Sequence, residues 1–550
     1  MPSIAITGPI LVPLLAAAVI TTFGFFRFDL GRGASGAGAW GAVAVLLVLW
    51  LSVRSTQELN LGPLGYGSSL NLRLDAVAFA FGLMVSVPSA VLLTLQRRTW
   101  QEAAIAMVGL AAAMAAVEAG GVVLTAVAGG TAATLAVLLL DAEDIQAPRP
   151  RWSVMLAAWL ALGWAGVIFQ VLGGTAVYPA VPVAAVTAPV FTLFAVAALM
   201  ASGMFPWRSW PAQLWARPSL RAAGMAIATV YPLGFYLLVR AYEVGDGRYP
   251  RQLFNVLLAS LGILVALGAA ARAQAAATRR EFLGEVIPGF GGFALMTLAL
   301  GTPLGLEAAL ITLATAAAFA ACLPLLPDRA GPASLVTIAA AVGLPPGLAF
   351  GARVLGIEST FEAGDLLGLI GLAGAAGWAL WMVGAARAIG LPAGRGHPVA
   401  ETFPKIAMGI ALLTLVAGPA AAAVQAGLAG PAAANVLGGS GATPGANLTT
   451  VVTVSTVLPA LTLFVPLLLI AAIGYGLAGT ALIRGQPRPV LFSLPGSTWM
   501  ERARAALREA TIPEQYRSLV NLPALESAVA GGRPLLWLAA LVALAFAVTR

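Results

Sequence analysis

Charge is scarce in this chain, and histidine, lysine and cysteine are nearly absent from it. Only 9% of 550 residues are charged, and Lys405, His397 and Cys322 are each the sole residue of their type. A lone cysteine inside an apolar run excludes an intramolecular disulfide and any cysteine-built zinc or iron–sulfur site. His397, in Gly394-Arg395-Gly396-His397-Pro398, cannot build a metal centre alone and reads as a loop residue. No basic stripe interleaved with aromatics occurs, which argues against nucleic-acid binding. Gly129-Gly130, Gly173-Gly174 and Gly291-Gly292 allow helices to approach closely. None follows a strand and opens a phosphate-binding helix, so nucleotide binding has no support. Ligands for flavin, haem or iron–sulfur clusters are missing, and no cofactor is expected in this chain. Ion-moving membrane proteins usually keep buried ionisable residues because such residues are costly and are retained for work. Their scarcity here constrains function.

What is plentiful is apolar. Hydrophobic residues make up 60% of the chain, so bilayer hydrocarbon is its expected solvent. A span needs roughly 20 apolar residues, and marking such runs predicts about sixteen helices. They lie near 4–26, 35–53, from Leu74-Asp75-Ala76 onward, 101–117, 119–140, 152–173, 181–204 and 219–242. The rest lie near 253–273, 284–301, 306–326, 334–352, 365–389, 406–429, 451–483 and 535–549. The run at 451–483 is longer than one straight span requires. Met1-Pro2-Ser3 leads into the first span without a basic segment, so no cleavable signal peptide is expected.

The net charge of +8 reads as topology. Arginines gather after odd-numbered spans: Arg97 and Arg98; Arg208, Arg217 and Arg221; Arg272, Arg279 and Arg280; Arg484 and Arg488. Loops after even-numbered spans are neutral or acidic, as at Glu358, Glu362 and Asp365. The positive-inside bias then makes the odd loops cytoplasmic and puts both termini outside. Asp141, Glu143 and Asp144 run against this trend, though acidic residues count for little in it. A multi-pass protein of a bacterial or archaeal cell (inner) membrane is the expectation.

Two stretches depart from the span–loop rhythm. Residues 430–450 are small, polar and glycine-rich and read as an outer loop. In 498–527 the apolar and charged residues separate onto two faces, with Trp499, Arg502, Arg504 and Arg508 in its first turns. This predicts an interfacial amphipathic helix reaching roughly 45 Å, either a plain surface helix or a strut along its neighbours. The chain thus divides into a transmembrane domain (1–483), a cytoplasmic-side lateral helix (484–534) and a terminal span (535–550). Two spans carry helix breakers: Gly343-Leu344-Pro345-Pro346-Gly347, and Gly203-Met204-Phe205-Pro206 closing the seventh. Such breaks free backbone groups at membrane depth, where transporters pass ions; a packing kink is the plainer alternative.

Five segments, in order, resemble the antiporter-like subunits of respiratory complex I, energy-converting hydrogenases and multisubunit cation/proton antiporters. Leu72-Arg73-Leu74-Asp75-Ala76 looks like the family's entry to the third span, and Phe205-Pro206-Trp207-Arg208-Ser209-Trp210-Pro211 like its FPxHxWLP turn. Leu233 through Arg240 is similar to AGxYLLxR, and Arg279-Arg280-Glu281-Phe282-Leu283 falls where KRxLAYS opens a span. Gly343-Leu344-Pro345-Pro346 through Phe350 and Arg353 looks like GxPPxxGFxxK. The resemblance implies an all-α polytopic fold. It would hold two inverted five-helix repeats with interrupted helices, from the fourth to eighth and ninth to thirteenth spans, plus the late lateral helix. It also implies other integral membrane subunits as partners, paralogues among them, with redox or soluble subunits at a distance.

The family's proton path is a row of buried Glu, Lys and His, and carrying it over falls on other residue types. The matching positions are near Ala128, Ala201, Pro232, Ala316 and Ala320, with Arg208 at the turn histidine. Alanine and proline have no proton to give, and arginine stays charged, so the row reads as erased. Arg353 is either the last cation of that path or an arginine snorkelling from a helix end. Arg208 is expected to meet lipid headgroups, cap helix carbonyls or touch a partner. Trp207, Trp210 and Trp215 read as an interfacial belt. Glu118, Glu285 and Glu307 lie at span edges or in a short turn, as solvated or interfacial carboxylates do. The ion-pathway candidates are Arg353, Glu118, Glu285 and Arg208, and the helix breaks fall at Pro206, Pro345 and Pro346. The expected role is structural, extending or sealing a membrane arm. The rivals are an active proton or cation translocator using edge carboxylates and water, a stand-alone solute transporter, and a membrane subunit of inorganic-carbon uptake.

Overall fold

In hydrocarbon no water satisfies a backbone N–H or C=O, so long apolar runs become helices. A computed structural model shows how they assemble. It describes residues 2–437, apart from 29–30, 66–67, 97, 144–151, 205–209, 216, 218–219, 248, 251, 327–330, 393–401 and 419–420. The run at 451–483, the lateral helix with Trp499, Arg502, Arg504 and Arg508, and the terminal span lie outside the described residues.

The first helices are α1 (Gly8–Phe25) and α2 (Gly31–Val53), followed by a hairpin of β1 (Gln57–Gly65) and β2 (Ser68–Leu74). Next come α3 (Ala76–Leu95), α4 (Trp100–Val117), α5 (Val122–Glu143), α6 (Trp152–Gly173), α7 (Ala188–Ala201) and α8 (Arg221–Val244). Then follow α9 (Leu253–Ala275), α10 (Val286–Leu298), α11 (Pro303–Cys322), α12 (Pro332–Val342) and α13 (Leu348–Glu362). The series closes with α14 (Asp365–Gly390), α15 (Thr402–Val416) and α16 (Gly430–Val436), and short helical turns join several of them. Among the described residues ten helices are long and apolar enough to cross a membrane, and α7, α12 and α15 are shorter apolar helices. The protein is a multi-pass membrane protein.

The core forms around α8, which is enclosed along its length and packs on both α3 and α11. Lipid tails are as apolar as leucine, so helix association here rests on close van der Waals packing. The α9–α10 crossing shows what that demands. A Cβ on Gly262 would sit 2.4 Å from the Met296 amide nitrogen, and one on Gly292 would sit 2.5 Å from that of Ala266. The backbones touch there, and only glycine fits.

One end of the bundle is laced by main-chain bonds. The antiparallel hairpin pairs Leu59 with Leu72 and Asn60 with Asn71. Beyond it, Arg73 N–H donates to Glu118 O at 2.6 Å and Gly120 N–H to Asn71 O at 2.7 Å. Tyr178 N–H reaches Gly120 O at 3.0 Å, and Val122 N–H reaches Ala176 O at 2.9 Å. The hairpin is an element the apolar runs did not announce.

The break expected within 334–352 is present: Gly343 takes a left-handed conformation (φ 76°) that ends α12 before α13 begins at Leu348. Three other expectations need correction. The run at 406–429 is not one span. α15 stops at Val416, and the chain resumes as Ala421–Val424, a π-turn at Gln425–Ala429 and then α16. The start of the proposed outer loop at 430–450 is therefore helical, with Ala432, Ala433 and Val436 buried. Trp210 and Trp215 are also buried in protein, Trp210 donating from its indole N–H to Ala201 O at 3.1 Å, so they form no exposed belt.

Candidate functional site

The densest set of interior charges sits where the laced end meets the core. Asp75 caps α3, its Oδ1 accepting from Ala78 N–H at 2.8 Å. Arg240, near the end of α8, meets that carboxylate in a fork: Nη1 to Oδ2 at 2.7 Å and Nη2 to Oδ1 at 2.9 Å. Both side chains are fully enclosed. Glu243, one turn on, takes Arg240 Nη1 at 2.5 Å, and Arg73 on β2 pairs with Asp75 and Glu243 at 3.1 Å each. Asn435 of α16 donates to Asp75 at 3.4 Å and Glu243 at 3.3 Å. Tyr236 accepts from Arg240 Nε at 3.0 Å and donates to Val117 O at 2.8 Å. The guanidinium lies 5.0 Å from the Tyr236 ring and 5.4 Å from that of Tyr178.

Two cations and two anions thus balance in a dry place, with tyrosines and Asn435 meeting further valences. Burial alone would raise the Asp75 carboxyl, but Arg240 and Arg73 hold it below its ordinary value. The set ties the hairpin, α3, α8 and α16 together. Arg73, Asp75 and Arg240 were visible only as family-like motif residues. Their meeting, across 165 positions between Asp75 and Arg240, had no local signal.

Glu118 departs from the expected solvated edge carboxylate. It follows α4 directly, is fully buried, and neither carboxyl oxygen has a hydrogen-bond partner among the described residues. Burial raises its pKa well above the ordinary carboxylate value, which favours the neutral form. Glu285 is closer to expectation. It lies between a short turn and α10, pairs with Arg272 at 3.0 Å, and keeps part of its side chain exposed. Glu307 is no turn residue: it belongs to α11 and accepts from Gln425 Nε2 at 2.5 Å.

Arg353 does not snorkel. It is buried in α13 and turns back to the end of α12, donating to Val342 O and, at 3.1 Å, to Ala341 O. Trp378 of α14 donates to the same Val342 carbonyl at 2.8 Å. Pro345 and Pro346 fall in the gap between α12 and α13, as the sequence indicated, while Pro206 and Arg208 lie outside the described residues. Ala128, Ala201, Pro232, Ala316 and Ala320 are all buried. Among the described residues every Asp, Glu and Lys on these helices lies within about two turns of a helix end. No three His, Cys, Asp or Glu side chains gather there as metal ligands would.

The basic end is built differently. Arg279 donates to Ala388 O at 3.0 Å, Arg280 to Arg217 O at 2.5 Å and Arg217 to Leu140 O at 3.1 Å. Arg387 reaches Ala276 O at 2.8 Å, and Arg98 reaches Arg221 O at 2.8 Å. Several of these carbonyls close helix C-termini, where a cation meets both orphan acceptors and the negative end of the dipole.

No family model and no curated protein matches this sequence. Solved structures do. A chain in the structure of the Mrp complex from Dietzia sp. aligns with a TM-score of 0.72 at 20% identity, covering 96% of this chain. This chain spans 62% of the length of that one. This chain shares its fold with that one. A chain of the membrane-bound sulfane sulfur reductase, an archaeal respiratory membrane complex, aligns at TM-score 0.62 and 19% identity, covering 74% of this chain and 75% of its own. One from Thermus thermophilus respiratory complex I with bound NADH gives 0.64 at 19% identity, covering 79% and 98%. At such identities the shared property is the fold alone.

Proposed function

We propose that this chain is a membrane subunit of a complex-I-like, hydrogenase-like or Mrp-like assembly, and that it extends, docks or seals the membrane domain without itself conducting protons. The observation that carries this reading is the chemistry of the interior. The family-like relay positions Ala128, Ala201, Pro232, Ala316 and Ala320 are buried and apolar. A relay needs side chains whose proton occupancy changes near ambient pH, and none of these can hold a proton. The charged groups that remain inside are committed elsewhere: Arg240, Asp75, Arg73 and Glu243 to one another, and Arg353 to backbone carbonyls. Redox chemistry would belong to partner subunits, with no cofactor held by this chain.

Purification from native membranes through a tag on this chain tests the subunit role. Further integral membrane subunits should remain bound through detergent extraction. Recovery of an isolated monomer that binds a small solute would overturn it in favour of a stand-alone transporter. A second reading, an active translocator, draws on Glu118, a buried carboxyl without a hydrogen-bond partner among the described residues. It predicts that Glu118→Gln lowers the protons moved per turnover, whereas the structural reading predicts no change.

A further inference from the structure

The gap between α12 and α13 holds a cation with no matching anion. Arg353 is 6% exposed, and among the described residues no carboxylate pairs with it. This contrasts with Arg240, which has Asp75 and Glu243. A guanidinium shut away from water without compensation would be strongly disfavoured, so its surroundings must supply the negative potential.

They supply it in two forms. The last turn of α12 offers the carbonyls of Ala341 and Val342, which are also the negative end of that helix. Two aromatic faces close the sides, with the guanidinium carbon 5.5 Å from the Phe290 ring centre and 5.7 Å from that of Trp378. Ring faces attract cations through their quadrupole, and more so where water is excluded. Gly343 completes the shape. A Cβ there would sit 3.1 Å from Arg353 Nη1, and its φ of 76° is one that side-chain-bearing residues rarely take.

Carbonyl dipoles and aromatic faces around an enclosed space make a binding site for a monovalent organic cation. We infer that the α12–α13 gap is such a site, selective for a planar guanidinium and filled in the native chain by the Arg353 side chain as a tethered ligand. The inference deepens the proposed function, resting on its claim that the interior is closed, because the tethered cation occupies the break between α12 and α13, which could otherwise admit a free one.

Chemical rescue tests it on the full-length chain with its co-purifying subunits. Arg353→Ala should lower the melting temperature by several degrees, and millimolar guanidinium chloride should restore part of that loss. Equal sodium chloride should not, and the native protein should gain nothing from guanidinium. A folded Arg353→Ala protein that melts as the native one does, or that guanidinium fails to restore, overturns the inference. Should Arg353→Ala not fold, Arg353→Lys and Arg353→Met decide the matter. The lysine variant, which keeps the charge, should melt nearer the native temperature than the methionine variant, which keeps only length; the reverse order overturns the inference. Failed rescue leaves the non-conducting reading standing, whereas a fall in protons moved by Glu118→Gln strikes that reading and leaves the cation site intact.

Discussion

Asp75 and Glu118 are both buried carboxyls at the same laced end of the molecule, and they answer pH in opposite directions. Asp75, with Arg240 and Arg73 beside it, has a folded pKa below its ordinary 3.8. Its contribution to stability is therefore full above that value and fades as pH falls through the lower folded pKa. Glu118 holds its proton above its ordinary 4.5, so its contribution is full below 4.5 and is lost as pH rises toward the raised value. Two outcomes follow, both readable as melting curves across pH. Asp75→Asn leaves Arg240 buried without its bidentate partner and should cost about 3–5 kcal/mol at neutral pH. Glu118→Gln should melt as the native protein does in acid and above it in alkali; a lower melting temperature throughout would mean that the charged form is the native one. The sequence placed Arg73, Asp75 and Arg240 in motifs but could not show that they meet. It also put Glu118 at a span edge, which is right along the chain and wrong in space, because the hairpin and the Tyr178 loop fold over that edge.

At the scale of elements, apolar run length located most of the helices, since a bilayer leaves long apolar runs no other structure. It failed where runs do not report the backbone. The hairpin is hidden because its alternation, Leu70, Leu72 and Leu74 against Asn71 and Arg73, is shorter than any span. α16 is hidden because it is made of small residues, and its Asn435, which looks like a loop residue, is spent on Asp75 and Glu243. Contact between helices has its own requirement, at Gly262 and Gly292. Gly262→Leu has no room between α9 and Met296, so α9 must move away from α10. Yield of monodisperse protein after detergent extraction should fall sharply, while Leu264→Ala, on the exposed face of the same helix, should leave it unchanged. Equal yields from the two variants would contradict the close α9–α10 crossing.

For the whole molecule, the two ends differ in kind. One is closed by a balanced set of ion pairs and a hairpin, the other by arginines that meet helix carbonyls, and between them the described helices carry carboxylates and lysine only near their ends. Under the proposed function such a scaffold would offer a proton nowhere to rest in its middle, and its value would lie in shape: helix faces for neighbouring subunits and an insulating interior. The most direct measurement is the number of protons moved per catalytic turnover by the purified assembly in sealed vesicles, with the native chain and with Glu118→Gln in its place. The two numbers should agree. A clear drop with Glu118→Gln, in an assembly of unchanged subunit composition, would mean that protons do pass through this chain.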